Sequence, residues 1–358
     1  MHLKTHGGEE RGLGEGAVMA GVRFGLILTN QHPPGEPAAE RFAQTIELVR
    51  LARDLGFDLI VFGQHFLLNE FQAIQPAIAA ARLAAEAGTM RIGITIYLLP
   101  LLNPVAIAEE AASLDVISGG RFIFGIGLGY REEEDNAFGL NPGERVPRLR
   151  RHLDVIKQLW TGQPVDFDSP YCRLKGATMA LRPIQRPHPP IWVAANNDRA
   201  VERAAELGDT WVINPHATVA TIQRQMGLYR AALDRQGKPF PAELPMMREI
   251  CVAESREVAM QLARPSLEQK YAAYVAWGQH RALPSDDDMT AAFDELLRDR
   301  FIMGDPAACA DEVQRCVSEI GANTMIFRVT WPGMSHEGVM RGLRLLAEQV
   351  RPRITAPD

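Results

Sequence analysis

The 358-residue chain predicts an α/β fold, a (β/α)8 TIM barrel with insertions, on three observations. Eight short runs rich in β-branched and aromatic residues recur along it. Each is followed by a longer segment of helical period, the pattern of repeated βα units around a parallel sheet. Finally, the glycines of "GGRFIFGIGLGYREEE" close a strand instead of opening a helix. A doubly wound sheet is the alternative architecture.

The strands are expected at 22–28 (VRFGLIL), 57–63 (FDLIVFG), 90–98 (MRIGITIYL) and 121–127 (RFIFGIG). The second half places them at 190–195 (PIWVAA), 209–214 (DTWVIN), 246–253 (MMREICVA) and 323–330 (NTMIFRVT). After the first strand, Phe42, Ile46, Val49 and Leu51 lie near helical spacing and the run stops at Gly56. After the third, Asn103 is a capping residue, Pro104 takes the first helical position, and glycines end the run. Two stretches exceed the repeating unit. Residues 162–189, after the fourth helix, read as a small hairpin with a Pro-rich exit. Residues 264–305, between the seventh and eighth strands, carry Tyr271, Tyr274 and Trp277 at helical spacing, which suits either a lid or an insertion packed onto the barrel. Residues 22–358 are expected to form one domain, and residues 1–21, Gly- and Glu-rich without periodicity, a disordered leader.

Composition narrows the function. A net charge of -6 and the lack of any basic cluster argue against nucleic acid or an anionic membrane surface, and for a small-molecule partner. Cys172, Cys251, Cys309 and Cys316 are dispersed with no C-x-x-C pair, as in a reduced cytoplasmic protein. No apolar run approaches the roughly 18 residues of a membrane span.

The glycines of the fourth strand fail as a dinucleotide fingerprint, because "YREEEDNAFGLNPGE" follows them before any helix begins. At the C-terminal end of a barrel strand, Gly127 and Gly129 would either let a planar ring approach the backbone or relieve crowding where the strand turns. "ANNDRAVERAAELG" starts a helix whose free N–H groups form an anion site, with Asn196 and Asn197 as further donors or simple caps. Nine histidines include no His-x-His pair, so no metal centre of the hydrolase-barrel kind is expected. His65, just past the second strand, is the candidate acid/base. His32, after the first strand, and Trp331, after the eighth, are expected at the same mouth as substrate contacts.

"NPVAIAEEAASLDVISGGRFIFGIGLGY", with "FGQHF" upstream and "PIWVAANNDRAVERAAELGDTWV" downstream, resembles the bacterial-luciferase-like flavin-dependent oxidoreductases. The resemblance spans roughly residues 22 to 350. It implies a monooxygenase that uses reduced FMN and dioxygen on a small organic substrate, with a separate reductase supplying the flavin and a homodimer as the default assembly. It also implies a non-prolyl cis peptide at Thr95 and Ile96 against the flavin rings, a ring and ribityl edge at Gly127, Gly129 and Tyr130, and a phosphate held by Ala195, Asn196, Asn197 and Arg145. The chain departs from luciferases proper at three places. It reads Gly63, Gln64, His65, Phe66 where they have Glu-His-His-Phe, Gly127 replaces their reactive cysteine, and Leu128 replaces a phosphate-binding arginine. Light emission is therefore not expected. A 5-deazaflavin coenzyme with hydride transfer is the alternative of the same fold, and a non-catalytic flavin-binding protein the alternative of another class.

Overall fold

The structure, a computed structural model, describes residues 21–28 and 31–356. Apart from Gly21, the expected leader over 1–21 lies outside the described residues. Nine strands form one parallel sheet: β1 (Arg23–Leu28), β2 (Leu59–Phe62), β3 (Arg91–Leu98), β4 (Phe122–Gly127), β5 (Ile191–Ala194), β6 (Thr210–Val212), β7 (Pro245–Val252), β8 (Phe301–Gly304) and β9 (Thr324–Arg328). Their order is β6-β5-β4-β3-β2-β1-β9-β7-β8. The first strand thus lies between the second and the last, with Gly25 opposite Leu59 on one side and Ile326 on the other. A doubly wound sheet would instead reverse its order at a switch point. An isolated parallel bridge between Ile213 and Met246 links the chain just past β6 to β7, so the sheet curls.

The packing follows from strand alternation. Ile27, Leu59, Val61, Ile123, Trp192, Val212, Met247 and Ile326 fill the concave side of the sheet. Gly93 of β3 leaves space there, since a Cβ would come within 3.0 Å of Val61 and 3.1 Å of Ile123. Phe24, Leu26, Ile60, Phe62, Ile92 and Phe124 point the other way into the larger core beneath the helices. Those helices are α1 (Ala38–Asp54), α2 (Pro76–Leu83), α3 (Pro104–Ile117), α4 (Arg145–Trp160), α5 (Asp198–Leu207), α6 (Val219–Gln236), α7 (Arg256–Ala276), α8 (Pro306–Ile320) and α9 (His336–Leu345). Asn103 caps α3 as its sequence predicts, its side chain accepting from the amides of Val105 and Ala106.

Two expectations are corrected. The sheet has nine strands instead of eight, because Phe301–Gly304, inside the stretch taken as an insertion, pairs with Glu249–Val252 of β7. Four residues are too few to show a period. The same stretch begins inside a helix, since α7 runs unbroken from Arg256 to Ala276. The expected hairpin after α4 is present as antiparallel strands Val165–Asp168 and Arg173–Ala177. All four cysteines are free, and burial pushes the Cys251 thiol up to about 11 and the Cys309 thiol to about 12. Among the described residues, no helix is long and apolar enough to cross a membrane.

Candidate functional site

A cavity of about 520 Å³ opens where the C-terminal ends of the sheet strands meet the loops that follow them. It collects His65, Thr95, Ile96, Gly127, Gly129, Tyr130, Arg145, Ala195, Asn196 and Asn197. His32 and Trp331 are placed elsewhere, lining a separate cavity of about 60 Å³ beneath α1 and α9. Trp331 is buried with its indole N–H donated to Glu249, and His32 pairs with Gln72 in a short antiparallel ladder. A strand's end fixes which rim a residue occupies but not which side of that rim its side chain takes.

The Thr95–Ile96 peptide is cis, at the position the resemblance implied. Pairing of β3 with β4 shifts register between Ile94 and Tyr97, so this segment pushes sideways into β4. Two glycines receive it. A Cβ on Gly125 would lie 2.8 Å from Thr95 Cα, and one on Gly127 would overlap the Ile96 side chain. Gly127 thus makes room for the neighbouring strand, and it lines the cavity together with Gly129. Gly129 adopts φ +76°, a conformation that side chains with a Cβ resist.

His65 is held from behind. The carboxylate of Glu134, in the short helix Glu132–Ala137, lies 3.1 Å from His65 Nδ1 and accepts the Phe66 amide at 2.8 Å. An ionised carboxylate only accepts, so Nδ1 carries the proton and Nε2 is left for other partners. Arg131 locks this corner by donating to the Phe66 carbonyl at 2.6 Å and the Leu67 carbonyl at 3.3 Å, with its guanidinium 4.8 Å from the Trp277 ring. Trp277 also approaches the His65 ring, centroids 5.7 Å apart, and stacks on Tyr274 at 5.1 Å. Of the aromatics marked in the sequence, Tyr274 lines the cavity while Tyr271 packs behind it against Phe301.

At the other end, Asn197 caps α5 by accepting the Ala200 amide at 3.0 Å. The first N–H groups of α5 have no partner within the helix and lie where Asn197 and Ala200 line the cavity. Arg203 reaches the same wall, and burial, then Arg150, lowers its pKa from the usual value. Arg145 is the first residue of α4 and is paired with the buried carboxylate of Asp135, so its cation is already balanced in part.

Several lining residues were not foreseen. Asn214 and His216 follow the end of β6 and Arg328 is the last residue of β9, where the rule that selected His65 would also have found them. Glu134 had no such signal, because only the folded helix shows which of four consecutive acids faces inward. His216 is buried, and its imidazole pKa lies well below the usual value because of burial first, then Lys270, Arg328, Arg300 and Arg248. Among the described residues, Thr95 Oγ1, Tyr130 Oη and His216 Nε2 are buried polar atoms of the cavity wall without a protein partner.

A curled parallel sheet with a cavity of mixed polar and apolar lining at its C-terminal rim, bordered by a helix N-terminus, is the arrangement of barrel-type α/β enzymes. The chain matches the family model described as luciferase-like monooxygenase over residues 22–324, and it belongs to that family. It is 27% identical over 346 residues to the oxygenase component of a flavin-dependent trigonelline monooxygenase from Acinetobacter baylyi, covering 92% of this chain and 95% of that protein. It is 28% identical over 228 residues to a putative coenzyme F420-dependent oxidoreductase of Mycobacterium tuberculosis, covering 60% of each. The crystal structure of monooxygenase RslO1 from Streptomyces bottropensis superposes with a TM-score of 0.82 at 26% identity, covering 92% of this chain and 99% of that one.

Proposed function

We propose that the chain is the oxygenase of a two-component flavin-dependent monooxygenase, using reduced FMN and dioxygen to oxidise a small organic substrate, with a separate reductase supplying the flavin. The observation that carries this reading is that one cavity brings a helix N-terminus with Asn196, Asn197, Arg203 and Arg145 together with Thr95, Ile96, Gly127, Gly129 and Tyr130. Asn196, Asn197, Arg203, Arg145 and the α5 N-terminus would hold the phosphate. Thr95, Ile96, Gly127, Gly129 and Tyr130 would border the rings, and the unpartnered Thr95 Oγ1 and Tyr130 Oη fit a group rich in polar edges. Bound reduced FMN would supply the electrons that activate dioxygen.

The protein's own contribution is position, dryness and proton handling. His65 offers Nε2 to the cavity while Glu134 fixes its other nitrogen, the arrangement of a general acid/base with its orienting partner. Trp277, stacked on Tyr274 and on the Arg131 guanidinium, would shield the His65 side of the cavity from water. We further place the protein in the cytoplasm as a homodimer.

The second reading is hydride transfer with a 5-deazaflavin coenzyme, favoured by the likeness to the mycobacterial protein and by the single histidine at position 65. Anaerobic titration with reduced FMN and reduced deazaflavin separates the two, followed by admission of oxygen. Tight FMN binding with substrate-dependent oxygen uptake is the expected result. Preference for the deazaflavin without oxygen uptake would overturn it, and cofactor binding without turnover of any substrate would make the protein a binder.

A further inference from the structure

The wall carried by β6, β7 and β9 has a charge composition that the flavin reading does not use. Glu249 on β7 is fully buried and accepts from Lys270 Nζ and Trp331 Nε1, while Arg328 Nε lies 3.7 Å from the same carboxylate. Arg248, 1% exposed, is adjacent and donates to the carbonyl oxygens of Asn214 at 3.4 Å and Met247 at 3.2 Å, with the Cys316 side chain beside it. Lys270 and Arg328 therefore gather around one buried carboxylate, Arg248 adds a buried cation near His216, and Arg328 lines the cavity. Such a field favours an anion in the cavity and disfavours a further cation.

His216 adds a second, directional requirement. Asn214 Oδ1 accepts the backbone N–H of His216 at 2.9 Å, and a backbone amide only donates, so this atom is the amide oxygen. It lies 3.2 Å from His216 Nδ1, which must therefore carry a proton. Nε2 then presents a lone pair, and this buried atom, in a residue of the cavity wall, has no protein partner. Tyr274 joins the two features, its ring 5.5 Å from that of His216.

We infer that this wall selects the substrate, which is a small organic anion, a carboxylate or its equivalent, held beside Arg328 and carrying an O–H or N–H that donates to His216 Nε2. The inference deepens the proposed function, since it rests on this cavity receiving the substrate, and it names the substrate class. The anion contributes charge complementarity in a desolvated site, and the donor satisfies His216 Nε2, which has no protein partner.

The test uses calorimetric binding of 3-hydroxybenzoate, 4-hydroxybenzoate, benzoate and benzamide to the chain loaded with oxidised FMN, with no turnover required. Benzoate is expected to bind about tenfold more tightly than benzamide, and at least one hydroxybenzoate more tightly than benzoate. Arg328→Met should erase the preference for the carboxylate while Arg328→Lys keeps part of it, and His216→Phe should erase the preference for the hydroxyl alone. Equal affinity of benzoate and benzamide for the unmodified chain overturns the inference without recourse to any variant. So does a carboxylate preference that survives Arg328→Met in a protein whose melting curve is intact. If FMN does not bind but the unloaded chain keeps these preferences, the cofactor reading fails and this one stands.

Discussion

His65 and His216 line one cavity, and in each the Nδ1 nitrogen is tied to a side-chain oxygen. The ties differ in charge. His65 is backed by the buried carboxylate of Glu134, which can balance an imidazolium if the ring takes up a proton at Nε2. His216 is backed by the neutral amide of Asn214 and surrounded by Lys270, Arg328, Arg300 and Arg248, which oppose a charged ring. Residue type and position at a strand end are therefore insufficient to assign a role. The partner behind the ring makes one histidine suited to proton exchange and the other to accepting a hydrogen bond while neutral.

The comparison breaks most severely at Glu249, the carboxylate of the cationic wall. Glu249→Gln leaves Lys270 buried without its counter-charge, and breaking a buried pair in this way costs about 3–5 kcal/mol. Burial, then Arg328, already lowers Lys270 to about 7, against the opposing effect of Glu249, so losing the carboxylate depresses it further. The unfolded chain keeps its proton up to the ordinary lysine range, so stability rises with pH wherever the native side chain has lost its own. In the unmodified protein that rise begins near pH 7, and in the variant it begins lower. Denaturant melts across pH 5.5 to 9, a range chosen to span about 1.5 units or more either side of that value, should show the variant's deficit widening below pH 7. A deficit independent of pH would contradict the assignment.

On the other wall the effects are expected in turnover. His65→Ala should lower kcat on the order of 100-fold, as removal of a general acid or base does, with flavin affinity unchanged. Glu134→Gln sharpens the contrast, because it replaces the carboxylate tie with an amide tie like that of Asn214 and keeps an acceptor for the Phe66 amide. About a tenfold fall in kcat with little change in KM marks Glu134 as a positioning residue. A matched loss of stability with normal kcat would reduce it to a structural clamp for Arg131.

How much of this was legible beforehand depends on the kind of signal. Strand order and most strand positions followed from alternation and helical period, and the Asn103–Pro104 start of α3 from capping chemistry alone. The cis position at Thr95–Ile96 came from the family resemblance alone, and the grouping of His65 with Asn196 and Asn197 from their places at strand ends together with that resemblance. β8 escaped because its four residues carry no period, and the His32 and Trp331 placements failed because rim position does not determine side-chain direction. The cationic wall was invisible for a different reason. Lys270 and Arg328 are dispersed in sequence and look like ordinary surface charges until α7 and β9 bring them to Glu249, and Arg248 until β7 buries it.

The smallest expected effect isolates His216 itself. Its native pKa lies well below the ordinary 6.5, so between those two values the unfolded chain binds a proton that the native chain refuses. Stability contributed by the neutral ring is thus complete above pH 6.5 and is lost as pH falls below it, with a slope of at most about 1.4 kcal/mol per pH unit for one group. His32 and His152, also lowered chiefly by burial, add to the same window, so the total acid sensitivity of the protein does not identify the residue. The difference between the unmodified chain and His216→Gln does, because glutamine can still donate to Asn214 and does not titrate. The variant should lose less stability per pH unit below 6.5 while keeping the same slope above it. Parallel curves on both sides would mean that His216 is protonated in the native state, and the two walls would then not differ in the way their partners imply.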